Sequence, residues 1–171
     1  MGTKQMGTTM QALAWIVFIA LGVAYFNDVL EEQHNPNQSL QTVSVADGAK
    51  EVILQRNKAG HYVTSGRING EPVVFMLDTG ATGVAIPVKI ADRLAIPRGP
   101  AVPTQTANGT GVSYMTRLDS VSVGDIVREN VPAGVVPGLL TDEILLGMSF
   151  LKEIEFTQKG NTLILRQYPG Q

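Results

Sequence analysis

The apolar positions of the chain divide it into three parts. Ala12 to Phe26 is almost purely apolar and lies within a longer uncharged stretch. A membrane-spanning helix needs about 20 mostly apolar residues, so residues 1–27 are predicted to form a terminal stub and a transmembrane anchor. Residues 28–50 are polar and lack a hydrophobic period, which predicts a flexible linker. Residues 51–171 alternate between short apolar runs and turns, which predicts one folded domain.

The charges beside the apolar segment predict its orientation. Lys4 precedes the segment, and three acidic residues between Asp28 and Glu32 follow it. Because basic residues are retained on the cytoplasmic side, the N-terminal stub is expected in the cytoplasm and the domain outside it. A cleaved signal peptide is the alternative, since Gly22-Val23-Ala24 offers small residues to a peptidase.

The folded domain is predicted to be mainly β. Its clearest hairpin has Asn69-Gly70 at the turn, because both central residues of a type I′ turn need positive φ. The run from Pro72 to Leu77 is continuously apolar, as expected for a strand covered on both faces. Gly and Pro recur between short strands, which suits a small barrel or sandwich. The predicted strands are 51–56, 61–68, 72–77, 113–123 and 162–166, and the predicted short helices are 87–94 and 148–152.

Composition narrows the possible functions. The chain has no cysteine, which excludes disulfides, thiolate catalysis and cysteine-ligated metals. Charged residues make up 16% and the formal net charge is −2, unlike the basic surface of a nucleic-acid binder. His34 and His61 are far apart in sequence and are interpreted as ordinary loop and strand histidines. Neither a metal, a cofactor nor a nucleic-acid partner is therefore expected.

One acidic residue, Asp78, directly follows a strand that is predicted to be buried. The apolar run 73–77 leads directly into Asp78-Thr79-Gly80-Ala81. An ionisable residue at the end of a buried strand is costly unless it is paired or useful, and Gly80 permits a tight turn. Taken alone, however, this tripeptide is better explained as an ordinary Asx turn after a strand.

The sequence around this tripeptide resembles the retropepsin-like aspartic proteases, especially the bacterial membrane-anchored ones. The resemblance begins in the hairpin 61–70, continues from Phe75 to Thr82, and returns in the Leu-Leu-Gly-Met-Ser-Phe-Leu run 145–151. It implies an all-β fold, a closed barrel of the acid-protease half type with one or two short helices, preceded by a single N-terminal transmembrane helix.

The resemblance also implies roles for individual residues. Asp78 is the implied catalytic carboxylate, and its loop is formed by Thr79, Gly80 and Ala81. A hydrophobic-hydrophobic-Gly segment, here containing Leu146 and Gly147, is implied to pack behind that loop.

A second carboxylate is needed for this chemistry. Peptide hydrolysis without a metal or a covalent intermediate uses a water held between two carboxylates that share a proton. Asp78 has the only Asp-Thr-Gly context in the sequence, since Asp47, Asp119 and Asp142 lack it. The resemblance implies a homodimer in which Asp78 of each subunit meets its copy at the two-fold axis, with Thr79 bonding across that axis.

A glycine-containing hairpin between the two motifs is implied to cover the substrate. The candidate hairpin is 104–111, with a substrate-binding tip at Thr106, Ala107, Asn108 and Gly109 and with Asn108-Gly109 as its turn. Such a flap would pair with an extended peptide as an added strand. An ordinary surface turn is the alternative.

Three functions remain open from the sequence. The first is a homodimeric aspartic endopeptidase in the bacterial inner membrane, a single-pass protein with its protease domain in the periplasm or outside. The second is a non-catalytic binding or assembly module of the same fold. The third is a protease that mainly processes itself, because the predicted linker 28–50 would be accessible to it.

Overall fold

The computed structural model describes residues 3–45, 47–106 and 109–170. Most of the domain is β, as the sequence predicted. The elements in chain order are α1 (Thr3–His34), β1 (Thr42–Ser44), β2 (Lys50–Gln55), β3 (Val63–Ile68), β4 (Glu71–Leu77), β5 (Val84–Pro87), α2 (Val88–Arg93), β6 (Ala101–Thr106), β7 (Gly109–Val123), β8 (Ile126–Val136), β9 (Ile144–Leu146), α3 (Met148–Leu151), β10 (Glu155–Lys159) and β11 (Thr162–Gln167).

Six strands close into a barrel, which confirms the predicted fold class. The strands follow one another in the order β3-β4-β9-β5-β8-β7, and β6 adds to β7 as a hairpin. The ring is completed where β7 returns to β3, with Arg67 opposite Ser122 and Ile68 opposite Val121. Closure leaves few free edges, which limits unwanted pairing with other chains.

A second sheet lies against the barrel, in the order β1-β2-β11-β10. Its two central strands alternate buried and outward positions, as expected for a sheet with one face on the core. Val52, Leu54 and Leu165 are buried completely and join the same core as Phe75 in β4.

The local sequence signals correspond closely to the observed elements. Asn69 and Gly70 have φ of 50° and 84°, as the predicted type I′ turn requires. Helix α2 begins directly after Pro87, where the sequence placed the start of a helix. Strand β8 was not predicted, because Pro132 and Gly134 interrupt its apolar positions.

Helix α1 is long and apolar enough to cross a membrane. The stretch Met10–His34 contains 25 residues, and none of its apolar window is buried within the protein. At a rise of about 1.5 Å per residue, this length corresponds to roughly 37 Å, which exceeds the hydrocarbon thickness of about 30 Å.

The segment after the apolar stretch is more ordered than the sequence predicted. Helix α1 continues through the acidic residues to His34, whose carbonyl accepts a hydrogen bond from Asn57 Nδ2 at 2.9 Å. Asn37 is 4% exposed and replaces a missing strand neighbour: its Nδ2 donates to the carbonyls of Val63 and Gln55 at 2.7 and 2.9 Å. The expected flexible linker 28–50 is therefore a helix end followed by a segment hydrogen-bonded to the barrel. The polar composition of this segment did not predict its order, because the contacts that fix it are made by the side-chain amides of Asn37 and Asn57.

Replacing Asn37 by alanine should destabilise the domain. The substitution leaves three backbone groups without their partner: the buried carbonyl of Val63, the part-buried carbonyl of Gln55, and the Gln55 amide, which donates to Asn37 Oδ1 at 2.7 Å. We expect a loss of about 2–4 kcal/mol in unfolding free energy and a melting temperature lowered by roughly 5–15 °C. Thermal denaturation of the full chain in detergent measures the shift, with the exposed neighbour changed by Gln38→Ala as control. Equal melting of the two variants would show that the segment is the loose linker that the sequence predicted.

Candidate active site

Asp78 stands at the end of the central strand β4. This strand pairs with β3 on one side and runs parallel to β9 on the other. Leu77 is fixed through its amide, which donates to the Tyr62 carbonyl at 2.9 Å, and the Asp78 amide donates to the Leu146 carbonyl at 3.2 Å. The backbone that carries the carboxylate is therefore held from both neighbouring strands.

The chain reverses immediately after Asp78. The Ala81 amide donates to the Asp78 carbonyl at 3.2 Å, and the Gly80 amide donates to the carboxylate Oδ1 at 2.9 Å. Asp78 is half-buried, whereas Thr79 and Gly80 are exposed. The turn thus orients one carboxylate oxygen and presents the side chain at the protein surface. This is an Asx turn, as expected for the tripeptide taken alone. An Asx turn does not exclude a chemical role for the carboxylate.

Leu146 and Gly147 lie behind this loop, where the resemblance placed them. Leu146 is buried completely at the end of β9, and Gly147 precedes α3. The Met148 amide donates to the Ala81 carbonyl at 2.8 Å. A Cβ atom on Gly147 would lie 2.3 Å from the Gly83 carbonyl oxygen and 2.5 Å from that of Ala81. Only glycine permits this close approach of two backbone segments.

Ser149 is a supporting residue to which sequence analysis assigned no role. Its Oγ accepts a hydrogen bond from the Val84 amide at 3.0 Å and donates to the Pro132 carbonyl at 2.8 Å. It therefore joins α3 to the start of β5 and to the middle of β8. The residue lies inside the Leu-Leu-Gly-Met-Ser run, but only the fold reveals that both of its partners are distant backbone groups.

The predicted flap is a hairpin of β6 and β7. Thr104 pairs with Gly111, Gln105 with Thr110, and Thr106 with Gly109. Gly109, at φ 108°, therefore belongs to strand β7 rather than to the centre of the turn, one residue away from the Asn108-Gly109 turn that the sequence predicted. Ala107 and Asn108, the other two residues of the expected tip, lie outside the described residues.

The other candidate aspartates have separate local roles. Asp47 Oδ1 accepts from the Ala49 amide at 3.1 Å within a turn. Asp142 is exposed and lies 2.7 Å from Lys89 Nζ, and this hydrogen bond, together with the lysine charge, lowers the pKa of Asp142. Asp119 is exposed on β7. Across 3–45, 47–106 and 109–170, no three His, Cys, Asp or Glu side chains form a group able to hold a metal ion.

The Asp78 loop presents one carboxylate and one hydroxyl at the surface of the subunit. A single surface carboxylate can bind a water but cannot act as base and acid at once. The Thr79 hydroxyl, exposed on the same loop, makes no hydrogen bond within the described part of its own subunit. Both groups are therefore accessible from outside the subunit.

Comparison with known proteins assigns the chain to one protein family. The sequence matches the family model described as gag-polyprotein putative aspartyl protease over residues 64–153. An uncharacterised protein encoded in the cobV 5′ region of Sinorhizobium sp. is 33% identical over 121 residues, covering 68% of this chain and 51% of that protein. An uncharacterised protein of Rickettsia prowazekii (strain Madrid E) is 31% identical over 121 residues, covering 69% of this chain and 52% of that protein. The chain spans about half the length of these curated relatives.

A solved structure agrees with the family model. The crystal structure of a retropepsin-like aspartic protease from Rickettsia conorii has 28% sequence identity and a TM-score of 0.57, and the match covers 75% of this chain and 94% of that one. The two comparisons confirm the resemblance seen in the Asp-Thr-Gly and Leu-Leu-Gly motifs. The chain belongs to the retropepsin-like aspartic proteases.

Proposed function

We propose that the protein is a membrane-anchored, homodimeric aspartic endopeptidase in which Asp78 of two subunits forms the catalytic pair. The observation that carries the proposal is the half-buried carboxylate at the end of β4. Its backbone amide donates to the Leu146 carbonyl, and its Oδ1 accepts from the Gly80 amide. The family match over residues 64–153 favours a catalytic role for this carboxylate over a purely structural one. The sequence contains no second Asp-Thr-Gly, so the other carboxylate comes from a second copy.

In the proposed dimer, the two Asp78 carboxylates hold one water between them. Two like charges about 3 Å apart cannot both ionise, so the pair shares one proton. The ionised carboxylate accepts a proton from the water as it attacks the scissile carbonyl, and the protonated carboxyl donates to the carbonyl oxygen. The two groups titrate as one unit. Each exposed Thr79 hydroxyl donates to the partner's loop and fixes the pair.

The substrate is an extended peptide. The β6–β7 hairpin, with Thr106, Gly109 and the two residues between them, covers the site and pairs with the peptide backbone. Closure of this flap excludes water from the carboxylate pair. The proposal includes neither a metal nor a cofactor.

Helix α1 anchors the dimer in the bacterial inner membrane. Lys4 lies at its cytoplasmic end, and the acidic residues from Asp28 to Glu32 lie at the other end, outside the cytoplasm. Both relatives above come from bacteria. Because two anchored subunits share one plane, their effective concentration is raised. The hydrogen bonds of His34 and Asn37 support a fixed connection between anchor and barrel.

Self-processing within residues 28–50 receives less support. A protease of this class cleaves extended chain, whereas α1 is helical to His34 and Asn37 is bonded to the barrel. Gln38 and Ser39, which follow Asn37, are exposed. Slow cleavage there is a secondary activity that N-terminal sequencing of stored protein would measure.

The endopeptidase proposal is tested on the purified full chain in detergent with a mixed peptide library at acidic and neutral pH. We expect cleavage that a transition-state inhibitor of aspartic proteases abolishes. Activity per chain should fall on dilution, because the monomer has half a site. Two outcomes would overturn the proposal: no cleavage by chain shown to be folded and dimeric, or an active species that sediments as a monomer.

A further inference from the structure

The last residue of helix α1, His34, contacts two segments of the domain that are far apart in sequence. Its Nε2 lies 2.5 Å from Glu143 Oε1, and its carbonyl accepts from Asn57 Nδ2 at 2.9 Å. Glu143 directly precedes β9, and Asn57 lies in the turn between β2 and β3. The end of the helix therefore joins the segments that lead into both strands beside β4.

We propose that His34 is a positioning residue for the catalytic carboxylate. It holds the entries to the two neighbours of β4, β9 and β3, and through them the backbone that carries Asp78. The inference rests on the proposed function, because it assigns a role within the same site. The end of the membrane helix then supports the active site as well as connecting it to the anchor.

The path through Glu143 is short. Glu143 directly precedes β9, whose three residues, Ile144–Leu146, run parallel to β4. At the end of this strand, the Leu146 carbonyl accepts from the Asp78 amide at 3.2 Å. On its other side, β9 pairs with β5 through a single residue pair. A strand this short depends on how its two ends are held, and Glu143 lies at one of them.

The Glu143 carboxylate depends on His34. The Glu143 side chain is 17% exposed, and within residues 3–45, 47–106 and 109–170 its carboxylate has only His34 as a hydrogen-bond or ion-pair partner. Burial of a carboxylate without a partner is costly. Loss of the imidazole therefore favours a rearrangement that exposes Glu143 to water, and this movement displaces the start of β9.

Asn57 provides the second path. It is 9% exposed, its Oδ1 accepts from the His61 amide at 2.9 Å, and its own amide donates to the His61 carbonyl at 2.8 Å. These bonds close the turn before β3. The next residue, Tyr62, accepts through its carbonyl from the Leu77 amide at 2.9 Å. The carbonyl of His34 thus fixes the turn that holds β4 from the side opposite β9.

Other residues keep the end of the helix in place. Asn35 is 4% exposed; its Nδ2 donates to Ser65 Oγ in β3 at 3.1 Å, and its Oδ1 accepts from the Asn37 amide at 3.0 Å. The sequence has neither proline nor glycine from Val23 to His34, so this part of the helix lacks the residues that commonly cause kinks. Removal of the imidazole alone therefore breaks the Glu143 contact and leaves the rest of the junction intact.

Substitution of His34 in the full chain in detergent tests the role. His34→Ala should lower kcat about tenfold, because a small displacement of a reacting group has a large effect on rate. KM should stay within about threefold, as expected when the lost interaction acts on the chemical step rather than on substrate binding. Rates are expressed per active site, counted by titration with a tight-binding transition-state inhibitor. A loss of folded or dimeric protein therefore does not contribute to the fall in kcat.

A conservative variant should restore the rate. In His34→Gln the amide nitrogen lies close to the position of imidazole Nε2 and donates to the same carboxylate, so kcat should return to within about twofold of the natural value. Glu143→Ala breaks the same link and should also lower kcat. The double variant should be no slower than His34→Ala alone, because the two substitutions remove one interaction.

The matched control is His61→Ala. His61 is exposed, and its two bonds to Asn57 are made by its backbone. Loss of this imidazole should therefore leave kcat within about twofold of the natural value. A fall in kcat equal to that of His34→Ala would show that the effect is not specific to the Glu143 contact and would refute the inference.

The outcomes separate this inference from the proposed function. If the natural chain cleaves peptides and His34→Ala has the natural kcat per active site, the positioning role is refuted and the protease proposal stands, even where the melting temperature falls. Equal losses in His34→Ala and His34→Gln also refute it, because the hydrogen bond to Glu143 is then irrelevant. If the natural chain is folded and dimeric but cleaves no peptide, the protease proposal fails and the positioning role fails with it.

Discussion

Replacing Asp78 by asparagine should reduce peptide hydrolysis at least about 10³-fold. General acid–base groups contribute roughly 10²–10⁴ in rate, and in a homodimer one substitution removes both the base and the acid. Asparagine has nearly the same shape, and its Oδ1 can still accept from the Gly80 amide, which lies 2.9 Å from the carboxylate oxygen. The fold and the dimer should therefore survive. The loss should appear in kcat/KM against the best library peptide while the melting temperature changes little.

The matched control is Asp119→Asn, which removes an exposed aspartate on β7. This variant should keep activity within about twofold of the natural chain, since surface substitutions away from a site have small effects. Mixing natural chain with excess Asp78→Asn chain should also suppress activity, because mixed dimers contain one carboxylate. Cleavage by the Asp78→Asn variant at the natural rate would refute the catalytic assignment. Full activity of mixed dimers would refute the shared site.

The sequence was sufficient for the family, the barrel and the placement of Asp78. The run 72–77 of β4 is continuously apolar, and this pattern is visible without any structure. The Asn69-Gly70 turn is similarly local, because the φ values of two residues determine it. The Leu146-Gly147 segment could be placed only through family resemblance, since its contact with the Asp78 loop joins positions almost 70 residues apart in the sequence.

The remaining features depend on contacts that no local pattern contains. Asn37 has the sequence context of a polar linker. Its order comes from the carbonyls of Val63 in β3 and Gln55 in β2, which the two sheets bring together. Ser149 resembles any helical serine until its two backbone partners are known. Strand β8 is obscured by Pro132 and Gly134, although β7 and β5 flank it on both sides. Tertiary context overrides local propensity in each case.

Gly147→Ala should be among the most destabilising single substitutions in the domain. Alanine can adopt the backbone conformation of this residue, φ −95° and ψ −167°. The destabilisation therefore comes from steric overlap alone. The added Cβ would lie 2.3 Å from the Gly83 carbonyl oxygen and 2.5 Å from that of Ala81. These neighbours are backbone atoms and cannot rotate away as a flexible side chain would. Overpacking of this kind costs about 3 kcal/mol or more, which should lower the melting temperature by roughly 6–12 °C.

The same substitution should also reduce activity in the folded fraction. Ala81 and Gly83 follow Asp78 in its loop, and relief of the contact displaces that loop from α3, where the Met148 amide donates to the Ala81 carbonyl. Gly138→Ala is the control, because a Cβ there meets nothing within 4 Å, and it should melt within about 1 °C of the natural chain. If Gly147→Ala has the same melting temperature as Gly138→Ala and cleaves peptides at the natural rate, the Leu146-Gly147 segment does not support the Asp78 loop. If stability falls but activity per folded chain is unchanged, Gly147 serves the fold alone.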